Sequence, residues 1–170
     1  MATIEWQFAE LRDVPSIVEL AQQHFQSEID QVFTPNPRRF AQHVSAAIVE
    51  QSFDPLRQQL IIARDQVGLA AYTWVTRGHY MTYADEEIAE VLFAHTRMTL
   101  SARLRIQLIR DMIQQWQLWS LCAGIKVLVS STIRSDQSAF LRLHEQAGFI
   151  IRGSMAFKKI YNEINQGEKR

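Results

Sequence analysis

Apolar residues at Ile4, Trp6 and Phe8 alternate with polar ones, a period of two that predicts a short opening strand within TIEWQFAEL. Asp13 and Pro15 then supply a helix start, and VPSIVELAQQHFQSEI follows at helical spacing. Pro35 and Pro37 break the chain before a second helix over RRFAQHVSAAIVEQSF. LIIARDQVGLAAYTWVT reads as two strands around Asp65-Gln66-Val67-Gly68, a hairpin signal. RGHYMTYADEE is expected as a loop or irregular strand, and IAEVLFAH as the next strand. From Leu100 to Leu121, apolar residues at Leu104, Leu108, Met112, Trp116 and Trp119 mark one stripe of a long helix, with Gly124 just past its end. GIKVLVSS is almost continuously apolar, which predicts a central strand covered on both faces. SDQSAFLRLHEQAGF is a short helix started by Ser135 or Asp136 and stopped by Gly148, with Phe149 packing back. FIIRGSMAFKKI closes the pattern as a hairpin turning near Arg152-Gly153-Ser154.

The order β-α-α-β-β-β-α-β-α-β-β predicts an α/β (α+β) fold, helices laid on one mixed sheet. Its 170 residues suit a single domain over residues 1–162 followed by a polar tail at 163–170. Lys plus Arg and Asp plus Glu both number 18, so no excess charge draws the chain to nucleic acid or to an anionic membrane. Cys122 is the single cysteine, which excludes an internal disulfide and a cysteine-based zinc cage. The opening MATIEWQFAELRD is acidic with no apolar run, and no stretch has the length of a membrane span. A soluble, cytoplasmic protein is expected.

The junction TRMTLSARLR, residues 96–105, lies where a strand gives way to the long helix. Free amides and the helix dipole favour an anion at such a place. The stretch has three arginines, Arg97, Arg103 and Arg105, and no glycine. With the later LHEQAGF and the run IIRGSMAFKKI, it resembles the GNAT acyltransferases, the Gcn5-related N-acetyltransferase superfamily. That resemblance implies a GNAT-like mixed central sheet flanked by helices, acetyl-CoA as cofactor, and transfer of an acyl group to an amine. It implies a pyrophosphate loop of pattern Q/R-x-x-G-x-G/A, which falls on Arg97-Met98-Thr99-Leu100-Ser101-Ala102. Arg97 and Ala102 match, while Leu100 stands where the first glycine belongs, and its side chain is expected to obstruct the amides. The implied cofactor residues are Leu92, Ala94, Arg97, Leu100, Ser101, Ala102 and Arg103, with pantetheine between AEVLFAH and GIKVLVS.

On a helical wheel Ser101 and Arg105 share the inward arc with Leu104 and Leu108. A cation in a first helical turn opposes the helix dipole, so Arg105 calls for an anion: a ligand phosphate, or a carboxylate from Glu90 or Asp136. Arg97 and Arg103 also read as solvated surface charge. His144 stands where the family often has a tyrosine that protonates the departing thiolate, a role open to imidazole. It reads equally as a half-buried histidine bonded to a backbone carbonyl. Glu90 is the implied general base for the acceptor amine, against a plain surface or paired residue, and His95 is similarly placed. Trp74, Tyr80 and Tyr83 line either an acceptor pocket or the core. The histidines other than His144 share no metal-ligand spacing along the chain, and no metal is expected.

A second reading keeps the fold without turnover. The glycine-free loop, the histidine in place of tyrosine and Gln137 in place of the family's frequent asparagine all fit it. AFLRLHEQAGFIIRG is similar to small GNAT-like proteins of short-tailed bacteriophages, some of them virion components. That resemblance implies a partner protein in an assembly and a virion location instead.

Overall fold

A computed structural model describes residues 4–28, 33–132 and 137–152. Its elements are β1 (Glu5–Phe8), a 3-10 turn (Leu11–Asp13), α1 (Val14–Glu28), α2 (Pro37–Phe53), β2 (Gln58–Asp65), β3 (Gly68–Tyr80), β4 (Glu87–Thr96), α3 (Ala102–Cys122), β5 (Val127–Ser130) and α4 (Ser138–Gln146). The strands form one mixed sheet in the order β1-β2-β3-β4-β5, antiparallel except where β5 joins β4 in parallel across the α3 crossover.

Local chemistry sets most boundaries. The Asp65 carboxylate accepts the amides of Val67 (2.9 Å) and Gly68 (3.0 Å), which folds β2 back onto β3. Asn36 caps α2 by accepting the Arg39 amide, with Pro37 in the first turn. Helices α3 and α4 end in the same glycine-terminated motif. Gly124 and Gly148 take left-handed φ of 73° and 89°, and the following amides of Ile125 and Phe149 reach back to the carbonyls of Ser120 (2.9 Å) and His144 (3.0 Å).

Each sheet face carries its own core. Leu60, Ile62, Tyr72 and Trp74 pack against Ile17, Leu20, Val44 and Ile48 of α1 and α2. On the opposite face Ala63, Ala71, Val75, Ala89 and Val91 pack against Leu108, Met112, Ile113, Trp116 and Trp119 of α3 and Leu143 of α4. Each such large apolar side chain contributes roughly 1.5–3 kcal/mol. Trp116 is fully buried, and its indole N–H donates to the Thr73 hydroxyl (2.7 Å).

β3 continues through Tyr80 with a register shift after Thr76, the irregular strand of the two forms expected there, and Arg77 holds Glu87 with two bonds (2.8 and 2.6 Å) across the β3–β4 pair and fastens its polar end. Two expectations change. β5 is not a covered central strand among the described residues. Among the described residues it pairs with β4 alone, and Val127 and Val129 are 36% and 38% exposed. A continuous apolar run shows that a strand is apolar, not that both faces are covered. Finally, α4 begins at Ser138 with Gln137 as its cap, while Ser135, Asp136 and the final hairpin beyond Arg152 fall outside the described residues. No helix among the described residues is long and apolar enough to cross a membrane.

Candidate functional site

Strand β4 carries an irregularity that shapes the centre of the molecule. Trp74 faces Phe93 across the β3–β4 ladder and Val75 faces Val91, so Leu92 is an extra residue with no opposite. One extra residue inverts the alternation of side chains. Before it, Ala89 and Val91 join the α3 core; after it, Phe93 joins the α1–α2 core and Ala94 turns to the α3 side. Thr73 pins the bulge from β3 by donating its hydroxyl to the Phe93 carbonyl (2.7 Å).

β5 pairs with β4 only from Ile88 to Val91. Beyond that point β4 runs on to Thr96 while the chain after β5 diverges, and the separation is a cavity of about 340 Å³. Residues 91–96 of β4 form one wall and Ser131 and Thr132 the other. Phe25 and Glu28 of α1 enter from one face of the sheet, Ile109 of α3 and Phe140 of α4 from the other. The gap therefore crosses the sheet layer, open to groups from both faces.

The loop from Arg97 to Ser101 follows this wall directly. Ser101 caps α3 by accepting the Leu104 amide (3.3 Å), and the first amides of a helix have no intrahelical acceptor. Leu100 is half-buried and packs against the α3 core. Ser101, Ala102 and Arg103 are exposed. Arg97 is committed elsewhere: its guanidinium pairs with Asp65 and donates to the Leu69 carbonyl (3.3 Å), back on the β2–β3 hairpin. The Arg97 hydrogen bond to Asp65, ahead of the turn amides, holds that carboxyl below its ordinary range. Arg105 is half-buried, has no ion pair among the described residues, and its Nε is buried without an acceptor. Of the two carboxylates weighed as its partner, Glu90 faces His79 Nδ1 at 3.2 Å, and Asp136 lies outside the described residues.

Leu92 and Ala94 line the cavity; Glu90 and His144 are not among its lining residues. His144 is buried and one turn below Phe140, whose carbonyl lies 2.9 Å from His144 Nδ1 and whose ring is 4.1 Å away. Burial lowers its pKa, and that backbone bond only partly opposes the effect. Trp74 is in the core, with its N–H on Gln58 (2.8 Å), whereas Tyr80 and Tyr83 are exposed, so none of the three lines the cavity.

No family profile matches the chain, and no curated protein sequence does. Solved structures answer differently. The fold superposes on a predicted acetyltransferase of Clostridium acetobutylicum solved with acetyl-CoA, with TM-score 0.69, 11% identity, and coverage of 92% of this chain and 96% of that one. It also matches the aminoglycoside 6'-N-acetyltransferase AAC(6')-Ih of Acinetobacter baumannii, with TM-score 0.67, 12% identity, and coverage of 94% and 100%. Glucosamine-6-phosphate N-acetyltransferase of Arabidopsis thaliana follows with TM-score 0.64, 12% identity, and coverage of 94% and 99%. This is the GNAT acetyltransferase fold. At such identities the likeness fixes the GNAT architecture and leaves chemistry to be argued from the site.

Sequence reasoning missed the α1 side of the GNAT-fold gap. His24 and His95 are both buried and stack with centroids 4.2 Å apart and planes within 5°. Glu28 Oε1 lies 3.6 Å from His24 Nδ1 and its Oε2 lies 3.4 Å from His95 Nε2. The outer nitrogens are held as well, His24 Nε2 by the Thr96 carbonyl (2.8 Å) and His95 Nδ1 by the Tyr72 hydroxyl (2.7 Å). Burial first, then the Glu28 charge, push the Tyr72 phenol well above its ordinary range, so it keeps its proton. The histidines share no metal-ligand spacing along the chain, and it is the fold that places ligand atoms of His24, Glu28 and His95 within 4.8 Å of one another. The one local signal was the four-residue step from His24 to Glu28, which puts both on one helix face. His95 arrives through the sheet, 71 residues later, which no spacing rule reads.

Proposed function

We propose that this chain binds acetyl-CoA and transfers its acyl group to an amine. The observation that carries the reading is the gap between β4 and β5, which crosses the sheet and lies beside the N-terminus of α3. In this arrangement the pantetheine arm lies along residues 91–96, meeting backbone freed by the Leu92 bulge and the lost β5 pairing. The pyrophosphate lies over the exposed amides of Ser101, Ala102 and Arg103, with Arg105 as its charge partner. Arg105 takes the place that the loop pattern assigns to Arg97, whose charge Asp65 already neutralises. An acceptor enters from the α1 face beside Phe25 and Phe93. Attack of the neutral amine on the thioester carbonyl forms the N–C bond as the C–S bond breaks; one amine proton leaves and the thiolate gains one. Bringing the two reactants together across one gap supplies the larger part of such a rate enhancement. Solved relatives in fold include a protein named for aminoglycoside acetylation, so small cationic amines are the first acceptors to try.

Calorimetric titration of the full chain with CoA and acetyl-CoA tests this. Micromolar binding is expected, weakened about 10- to 100-fold by Arg105→Ala, as loss of a charge-assisted phosphate contact predicts. Arg97→Ala should weaken it far less. A folded protein that binds neither ligand at millimolar concentration overturns the reading and leaves the non-catalytic, partner-binding scaffold in its place.

A further inference from the structure

We infer that the acceptor is a hydrophobic primary monoamine of the arylalkylamine class, and that polycationic amines are poor acceptors. This rests on the acyl-transfer reading and narrows its small cationic amines to those with one charge and an apolar body. The wall on the α1 face is the first observation. Phe25 and Phe93 line the cavity, and Phe40, in the first turn of α2, packs against both. Ring centroids are 5.2 Å apart for Phe25–Phe40 and for Phe40–Phe93, with planes at 81° and 73°, and 5.9 Å apart for Phe25–Phe93. Edge-to-face packing of this kind is an arrangement that a further aromatic ring joins at similar spacing. All three phenylalanines are half-buried, so apolar surface remains for an occupant to cover.

Charge is the second. Among the described lining residues Glu28 is the one carboxylate, and it is already engaged with His24 and His95 at 3.6 and 3.4 Å. The carboxylates of β2–β4 are committed too, Asp65 to Arg97, Glu87 to Arg77 and Glu90 to His79. A second or third ammonium therefore finds no carboxylate of its own on this wall. It meets positive charge instead, because exposed Arg38 and Arg39 immediately precede Phe40 at the N-terminus of α2, the positive end of the helix dipole. The apolar wall also suits the reaction, since burial disfavours the ammonium and the neutral amine is the nucleophile. Its nitrogen forms the amide N–C bond as the thioester C–S bond breaks, and the proton it loses balances the one gained by the thiolate.

Size is the third. The cavity of about 340 Å³ lies at the small end of ligand sites, which run from about 300 to 1,000 Å³. In the acyl-transfer reading it also holds the thioester end of the pantetheine arm. The remaining space suits a single small ring on a short alkylamine arm, and linked sugar rings overfill it.

The full chain is assayed with acetyl-CoA against phenethylamine, spermidine and kanamycin, following thiol release. Phenethylamine should exceed both polycations in kcat/KM by about tenfold or more. Phe40→Ala should lower kcat/KM for phenethylamine by about 5- to 20-fold with CoA affinity unchanged in calorimetry. The double variant Arg38→Glu, Arg39→Glu should raise kcat/KM for spermidine by about threefold to tenfold at low salt. Circular dichroism establishes folding, and Phe40→Leu, which keeps apolar volume and removes the ring, serves where alanine fails to fold. Saturation-transfer NMR reads the acceptor without turnover: the phenyl protons of phenethylamine should receive magnetisation from the wild-type chain and much less from the Phe40 variant. A polycation that matches phenethylamine, or a folded Phe40 variant with unchanged kcat/KM, overturns the inference. So does the absence of magnetisation transfer to phenethylamine in the wild type, even where acetyl-CoA binds. Failure of CoA to bind while phenethylamine is still contacted overturns the acyl-transfer reading instead and leaves the amine site standing.

Discussion

Replacing Thr73 with valine keeps the shape of the side chain and removes one oxygen. That oxygen accepts the Trp116 indole N–H at 2.7 Å and donates to the Phe93 carbonyl at 2.7 Å, inside a fully buried layer. Valine fills the same space, so no cavity term arises; the cost is that of two polar groups left without partners. At about 1–3 kcal/mol for each stranded group, less for a carbonyl with a second lone pair in use, the loss is about 2–4 kcal/mol. Against a total stability on the order of 5–15 kcal/mol this is a large fraction. It corresponds to a fall in Tm of roughly 4–16 °C for a chain of this size. Urea unfolding followed by tryptophan fluorescence and far-ultraviolet circular dichroism measures it, with an unchanged m-value showing that the transition itself is intact. Thr73→Ser is the control: it keeps the hydroxyl, loses a methyl group, and should cost about 1 kcal/mol. If valine proves as stable as wild type, or more stable than serine, the hydroxyl relay contributes nothing and the reasoning fails.

Two further outcomes concern pH. His144 protonates less readily in the folded chain than in the unfolded one, because burial lowers its pKa, so acid favours unfolding. Its contribution is complete above about pH 6.5 and is lost below, at up to about 1.4 kcal/mol per pH unit; His144→Leu should flatten that part of a urea-midpoint profile measured from pH 7 to 5. Asp65 runs in the same direction in a lower window. Its folded pKa is depressed by Arg97, so its stabilisation is present above about pH 3.9 and disappears as pH falls through the lower folded value. Asp65→Asn should therefore cost about 1 kcal/mol near neutrality, by chemical denaturation, and the gap should close in acid.

What could be read from the chain and what could not divide along physical lines. The hairpin at Asp65–Gly68 and the long helix α3 were legible because their signals are local, a turn carboxylate in one case and a 3.6-residue stripe in the other. The α4 stop was legible for the same reason, Gly148 with Phe149 folding back on His144. Leu92 and Ala94 could be placed on the cavity wall only through the family resemblance, since the bulge that presents them depends on pairing with β3. Arg97 misled for a related cause: its partner Asp65 is 32 residues away and joins it only when the sheet forms. His95 was open to the same two readings as Glu90, and its contacts with His24 and Glu28 were not legible because they depend on a helix face at the other end of the chain.

The bulge at Leu92 makes residue number, more than residue type, the quantity under constraint in β4. The Leu92 side chain is itself exposed, so many substitutions there leave the neighbours in place. Deleting it would restore strict alternation and send Phe93 and His95 to the α3 side and Ala94 to the α1 side, exchanging two cores that were built for different contents. No single substitution repairs that exchange. Length variation in this strand is thus closed to gradual change.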